Sequence, residues 1–209
     1  MTRAFDRHIR VAAVTVFVLL GSAGQVASQT AQTSESPVPH RWSHGTTLQL
    51  SAGAAHAAPN TSAAFGTAIG WELNHHAEIE GVAAWLPERH GAESFAADLK
   101  LLVNLTRPAR VVPYLGAGAG LYFAAFDTTQ ATLPPFYQQH RPDSSTPGRA
   151  TFTNPTIVIA GGANVFTAHH LSVRPDLGVR LVMDGSHVYT VTTAAFSLIY
   201  HFDNHPTER

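Results

Sequence analysis

Val111–Phe126 reads VVPYLGAGAGLYFAAF, and its three central glycines, Gly116, Gly118 and Gly120, fall at every second position. Two readings compete for this stretch. A phosphate-cradling loop requires G-x-G-x-x-G between a strand and a helix, but Leu121 occupies the third glycine's place and no helical period follows. A strand requires a period of two. On that reading Leu115, Ala117, Ala119, Leu121 and Phe123 share one face, while Tyr114, the three glycines and Tyr122 share the other. The strand reading accounts for every residue and makes the glycines a wall of small residues against which neighbouring side chains pack.

The same alternation extends outward in both directions. Ala63, Phe65, Thr67, Ile69, Trp71 and Leu73 oppose Ala64, Gly66, Ala68, Gly70 and Glu72; Ile79, Ala83 and Trp85 oppose Glu78 and Glu80. Phe95, Ala97, Leu99, Leu101, Val103 and Leu105 oppose Asp98, Lys100 and Asn104. Alternating segments lie near 46–56, 63–73, 77–86, 94–105, 111–126, 156–167, 171–183 and 187–202. Eight such segments predict an all-β fold, an eight-stranded antiparallel up-and-down barrel. Short connections at 74–76, 106–110 and 168–170 fall at one end. The other end has 57–62, 87–93, 184–186 and a long connection, 127–155, which contains Pro134, Pro135, Pro142, Pro147 and Pro155. Loops of that length are uncommon without a function, so 127–155 is expected to be exposed and to meet a surface ligand.

Which face is outside follows from charge. Only 13% of the chain is charged, against about 25% in ordinary globular proteins, and the charges share their face with Gly and Ala. A soluble barrel needs a charged exterior; a transmembrane barrel reverses this, with lipid outside and polar groups in a lumen that eight strands leave just wide enough for side chains to fill. The lumen is therefore expected to hold Glu72, Glu78, Glu80, Asp98, Lys100, Arg174, Asp176 and Arg180 beside the small wall of Gly116, Gly118 and Gly120. Burial of unpaired charge is costly, so the arginines of the seventh strand are expected to pair with acids of strands two to four. Trp71, Trp85, Tyr122, Phe123, Phe126, Tyr189, Tyr200 and Phe202 lie toward segment ends, as interfacial girdles would, although Tyr122, Phe126 and Tyr189 have the inward parity. Pro175, inside the seventh segment, predicts a bulge or distorted pairing.

The amino terminus places Arg3, Arg7 and Arg10 before an apolar run from Val11 to Leu20, with small residues around Val26-Ala27-Ser28. This is the layout of a secretory signal peptide over residues 1–28, and the run is too short to span a bilayer as a helix. Residues 29–44, rich in Ser, Thr, Gln and Pro, read as a flexible leader; 45–202 is the barrel and 203–209 a C-terminal tail. Without residues 1–28 the charge is −3, which implies no nucleic-acid partner. The chain has no cysteine, which excludes a disulfide framework and a cysteine-linked lipid anchor.

The signal peptide, the eight alternating segments, PYLGAGAG at 113–120 and LSVRPDLGVRLVM at 171–183 together resemble the small outer-membrane β-barrel family related to OmpA and OmpX, over residues 43–202. The resemblance implies a bacterial outer-membrane location, contact with outer-membrane lipids and lipopolysaccharide, and insertion by the barrel-assembly machinery. Phe196, Leu198, Tyr200 and Phe202 continue the alternation toward the terminal aromatic that this machinery recognises, but Asp203 to Arg209 follow it here.

Chemistry is sparsely signalled. His75-His76 and His169-His170 occupy short turns at one end, but neighbouring side chains on a strand end point apart and no carboxylate or cysteine completes a ligand set. No metal and no cofactor is expected. His170-Leu171-Ser172 matches the His–Ser spacing of one kind of lipid A modifying barrel enzyme, yet it adjoins a short turn at the periplasmic end, with both side chains expected inward. No GxSxG, HExxH or EF-hand pattern occurs and no catalytic residue is assigned. The expectation is a barrel with a structural, envelope-integrity or surface-interaction role. A narrow porin-like channel is the alternative, and a lipid A modifying enzyme is the less favoured third reading.

Overall fold

A computed structural model describes residues 45–202, apart from 59, 90, 130–132, 134, 141–147, 169 and 186. The expected signal peptide, leader and C-terminal tail lie outside the described residues. Eight strands follow one another: β1 Thr46–Ala57, β2 Asn60–Asn74, β3 Ala77–Arg89, β4 Ala92–Asn104, β5 Val111–Asp127, β6 Arg149–Ala168, β7 Leu171–Asp184 and β8 His187–Phe202. Each pairs antiparallel with the next and β8 returns to β1, so the sheet closes.

Period-two sequence becomes a two-sided wall with the polarity of a transmembrane barrel. Leu99 is 60% exposed on the outer surface while its neighbour Lys100 is 8% exposed in the lumen. Leu50, Ile69, Trp71, Leu101, Leu115, Ile159 and Leu198 join Leu99 outside, while inside Leu102, Tyr114, Phe166 and Ile199 are buried among the polar side chains. Phe65, Trp85, Phe95 and Phe123 pair strand to strand as a contiguous outer row of aromatics. Outward apolar residues over about ten positions per tilted strand give the ~25 Å band that such barrels present to lipid.

Asn74 shows how the short turns form locally: its Oδ1 accepts from the amides of His76 (2.7 Å) and Ala77 (3.0 Å), closing the β2–β3 turn. At the opposite end the β3–β4 and β7–β8 turns use Gly91 (φ 75°) and Gly185 (φ 55°), left-handed conformations that favour glycine.

Pro155 departs from expectation, while Pro175 shows distorted pairing, one of the two outcomes expected of it. β6 begins at Arg149 rather than near 156, so Pro155 is inside a strand. The β6–β7 ladder ends at Thr156↔Val182, while β6 continues against β5 from Pro155↔Leu121 to Arg149↔Asp127. Pro155 therefore sits where β7 no longer asks for a donor, while β4 still flanks β5 as far as Ala92↔Phe126. At Pro175 no bulge forms: Gly162↔Asp176 and Val165↔Val173 keep one register, and pairing simply lapses between them, where the proline lacks its N–H. The irregularity of this ladder lies instead between Phe166 and Ala168.

The largest departure is the long connection. Its described part folds back onto the barrel mouth. Pro135–Gln138 forms a single helical turn, α1, and Leu133, Phe136 and Tyr137 are buried. They pack against Tyr122, Phe126 and Phe152, with Tyr189 alongside, in one apolar cluster. Phe136 stacks on Tyr189 (4.5 Å, 3°) and Tyr137 meets Phe126 edge-on (5.5 Å, 84°). The three aromatics with inward parity are thus not girdle residues; they line the barrel mouth. Three apolar side chains in a polar loop have nowhere else to leave water, and Pro135 pre-sets the backbone of the turn.

Candidate functional site

The lumen below this aromatic cluster is filled by a polar network centred on Arg174 of β7, which is 1% exposed. Its Nε donates to Asn164 Oδ1 (2.6 Å), Nη1 to Gln49 Oε1 (3.1 Å) and to Glu80 Oε1, and Nη2 to Glu78 Oε2 (3.1 Å). One guanidinium therefore ties β1, β3, β6 and β7 together, a use of its planar fork that an ammonium could not match. The remaining carboxylate oxygens are also engaged: Thr47 donates to Glu78 Oε1 (2.9 Å) and Lys100 Nζ lies 2.9 Å from Glu80 Oε2. The guanidinium carbon stands 5.0 Å from the centroid of Tyr114, a cation–π contact, and Tyr114 donates a long hydrogen bond (3.4 Å) to Asp176.

A second pair lies nearer the mouth, where Arg180 Nη2 donates to Asp98 Oδ2 (2.5 Å) and Thr156 supplies Asp98 Oδ1 (3.2 Å). Both β7 arginines thus meet acids of β3 and β4. Glu72 of β2 does not join them. Its Oε1 lies 3.1 Å from Nδ1 of His201, and His201 Nε2 lies 2.8 Å from Ser172 Oγ.

The glycine wall of β5 faces β4 across the pairs Gly116↔Leu102, Gly118↔Lys100 and Gly120↔Asp98. A Cβ on Gly118 would come within 2.8 Å of Lys100 Cα and 2.9 Å of its Cγ, and one on Gly120 within 2.7 Å of Asp98 Cα. Absence of side chains on β5 is what lets Lys100 and Asp98 lie flat across the wall and reach their partners.

Glu72, His201 and Ser172 have the order of a charge-relay triad, but their setting is that of a plug. Ser172 is 0%, His201 2% and Glu72 3% exposed, and the Phe166 ring lies 5.2 Å from that of His201. A nucleophile needs room for a substrate, and the Ser172 hydroxyl is enclosed here. His170 takes no part. Instead of facing inward as its parity suggested, it stacks on outward-facing Tyr200 (5.8 Å, 20°) with Nδ1 near the His201 carbonyl (3.0 Å), because it sits in the turn rather than on a strand. For the same reason the rings of His75 and His76 do not point apart; their centroids are 3.9 Å from each other. Among the described residues, no three metal-ligating side chains converge.

Between the Arg174 network and the aromatic mouth lies a cavity of about 90 Å³ whose lining includes Asp98, Lys100, Asp176 and Arg180. That is room for about three waters. Above it, α1 is held by the hydrogen bond between the hydroxyls of Tyr137 and Tyr122 (2.9 Å) and by His140, which stacks on Phe152 (4.1 Å, 22°) with Nε2 3.3 Å from Asp184 Oδ2.

The lumenal positions of the eight charged residues follow from strand parity. Sequence reasoning passed over Thr47, Gln49, Asn164, Ser197 and His201, which are all buried. The signal was present, since each is a polar residue at an inward position of a strand whose outer face is apolar.

No protein-family model matches the chain, and no curated protein aligns with it. Solved structures do. The N-terminal β-barrel domain of Pseudomonas aeruginosa OprF shares the fold with a TM-score of 0.52 at 13% identity, over 75% of this chain and 97% of that one. Neisserial surface protein A, NspA, matches with a TM-score of 0.54 at 11% identity, over 76% of this chain and 96% of that one. At such identities the similarity is one of fold: a small eight-stranded barrel of the outer-membrane type.

Proposed function

We propose that the protein is an integral outer-membrane barrel that serves as a closed structural element of the cell envelope and presents its plugged mouth to the outside. The observation that carries this reading is the double closure of the lumen. Arg174 bonds to β1, β3 and β6 across the interior, and α1 fills the mouth with Phe136 and Tyr137. A barrel that spends its interior on bonds between its own strands is suited to rigidity rather than passage. A surface ligand, on this reading, meets the solvent side of the plug, where Pro135, Gln138 and Gln139 are exposed.

The cavity beside Lys100, Asp98 and Arg180 favours one second reading, a narrow conduit that opens when α1 leaves and the Arg174 pairs break. Single-channel recording of the purified protein in a planar bilayer separates the two. The closed element is expected to show no stable conductance, and persistent solute-sized openings would replace it with the conduit. An enzyme reading gains little from Ser172, which is sealed; labelling of Ser172 by a fluorophosphonate probe would revive it. The premise itself is tested by membrane fractionation and by gel mobility before and after boiling. Recovery in the outer membrane with heat-modifiable mobility is expected, and a soluble periplasmic product would sink the reading.

A further inference from the structure

The end of the barrel that carries the short turns is a cationic rim. The turns 74–76, 106–110 and 168–170 contain Arg107, Arg110, His75, His76, His169 and His170, and no Asp or Glu. Backbone and amide bonds lace this rim together. Asn104 Nδ2 donates to the His75 carbonyl (3.0 Å) and its N–H to that of His76 (2.8 Å). Phe166 N donates to the Arg110 carbonyl (2.9 Å) and His201 N to that of His170 (2.9 Å). The two arginine side chains are exposed, and neither is paired with a carboxylate among the described residues. The opposite end is different: there Arg149 is held by Glu93 (2.8 Å) and Asp184 by His140 (3.3 Å). The rim's arginines also border the lipid-facing belt directly, since Leu105 (51%) and Val111 (51%) are exposed within two residues of them.

Cations held so close to the apolar belt, on turns too short to reach beyond it, lie in the headgroup layer when the barrel is inserted. We infer that this rim binds the phosphate headgroups of anionic phospholipids in the leaflet that faces the periplasm, with Arg107 and Arg110 as the principal contacts and His75 and His76 as hydrogen-bonding partners. The inference rests on the outer-membrane reading above and on the short turns being periplasmic. Charge complementarity favours an anionic phospholipid over a zwitterionic one. The shortness of the turns favours it over a polymer deeper in the periplasm.

Native mass spectrometry of the full chain in detergent, titrated with phosphatidylglycerol and separately with phosphatidylcholine, tests it. Two arginines at a membrane surface predict a preference for phosphatidylglycerol on the order of tenfold or more, fading at high salt. R107Q/R110Q is expected to lose that preference and R107K/R110K to keep most of it. Equal retention of the two lipids by the unaltered protein, a preference that survives R107Q/R110Q, or full competition by inorganic phosphate would each overturn the inference. So would rim-dependent capture on peptidoglycan in place of lipid. Should R107Q/R110Q fail to fold, the salt dependence and lipid preference of the unaltered chain decide. Heat-modifiable mobility measured on the same samples distinguishes failure of this inference from failure of the barrel reading.

Discussion

The hydroxyl of Tyr137 on α1 lies 2.9 Å from that of Tyr122 on β5, so a loop residue and a wall residue are joined by one hydrogen bond inside the barrel mouth. The bond marks where the long connection ceases to be a surface loop. It also makes the plug testable apart from the barrel that holds it.

F136A/Y137A removes two of the three buried apolar anchors of the plug. Burying an aromatic side chain in a packed core is worth about 3 kcal/mol or more. The barrel is expected to keep its heat-modifiable mobility, while amides around α1 lose hydrogen-exchange protection and the connection becomes sensitive to protease. Unchanged protection would show that α1 is held by something other than these rings.

Burial, and secondarily the nearby Tyr122 hydroxyl, raises the Tyr137 phenol above its ordinary range. The neutral form is then favoured in the plugged state. A raised folded-state pKa contributes stability that is fully present below the unfolded value, ~10, and is lost as pH rises through the folded one. The plug is therefore expected to hold through neutral pH and to loosen only in strong alkali. Y137F should flatten that alkaline loss, as read by exchange or protease sensitivity.

Removing Arg174 strands Glu78 and Glu80 in the lumen without their shared partner. Breaking a buried ion pair from one side costs about 3–5 kcal/mol, whereas replacing the whole group by apolar residues of similar volume can be neutral. R174L is expected to lower the urea midpoint of the vesicle-inserted barrel strongly, and R174L/E78L/E80L/K100L, which removes the whole charged group, to recover much of the loss. R174K should fall between, because lysine cannot reproduce the fork.

G118A places a Cβ within 2.8 Å of Lys100 Cα, a backbone atom that cannot swing away. G81A meets only the Ile69 carbonyl, at 4.0 Å. Overpacking of this kind costs about 1–3 kcal/mol. G118A should therefore destabilise the barrel and G81A should leave it nearly unchanged in the same urea titration.

Much of the architecture is legible along the chain. Strand count, closure and the inversion of polarity follow from alternation, because a strand's side chains have only two directions and the charges of this sequence occupy one of them. The inward placement of Glu72, Arg174 and Arg180 is read in the same way. Pro155 shows the limit of local signals: its ring forbids one donor, and whether that donor is needed depends on where β7 stops.

What alternation assigns is a face; partners along that face depend on stagger between strands and on curvature, which bring together residues far apart in sequence. Thus Glu72 turns to His201 of β8 rather than to an arginine of β7, and Arg174 reaches Glu78 and Glu80 together. The inward parity of Tyr122, Phe126 and Tyr189 was visible in sequence, yet its meaning was not. Only closure of the barrel creates an apolar cup at the mouth, and only that cup draws Leu133, Phe136 and Tyr137 out of water and turns an expected surface loop into a plug. Which side of the wall each residue occupies is local stereochemistry and can be read along the chain; which residues meet there is not, because contacts across a closed barrel arise from long-range geometry.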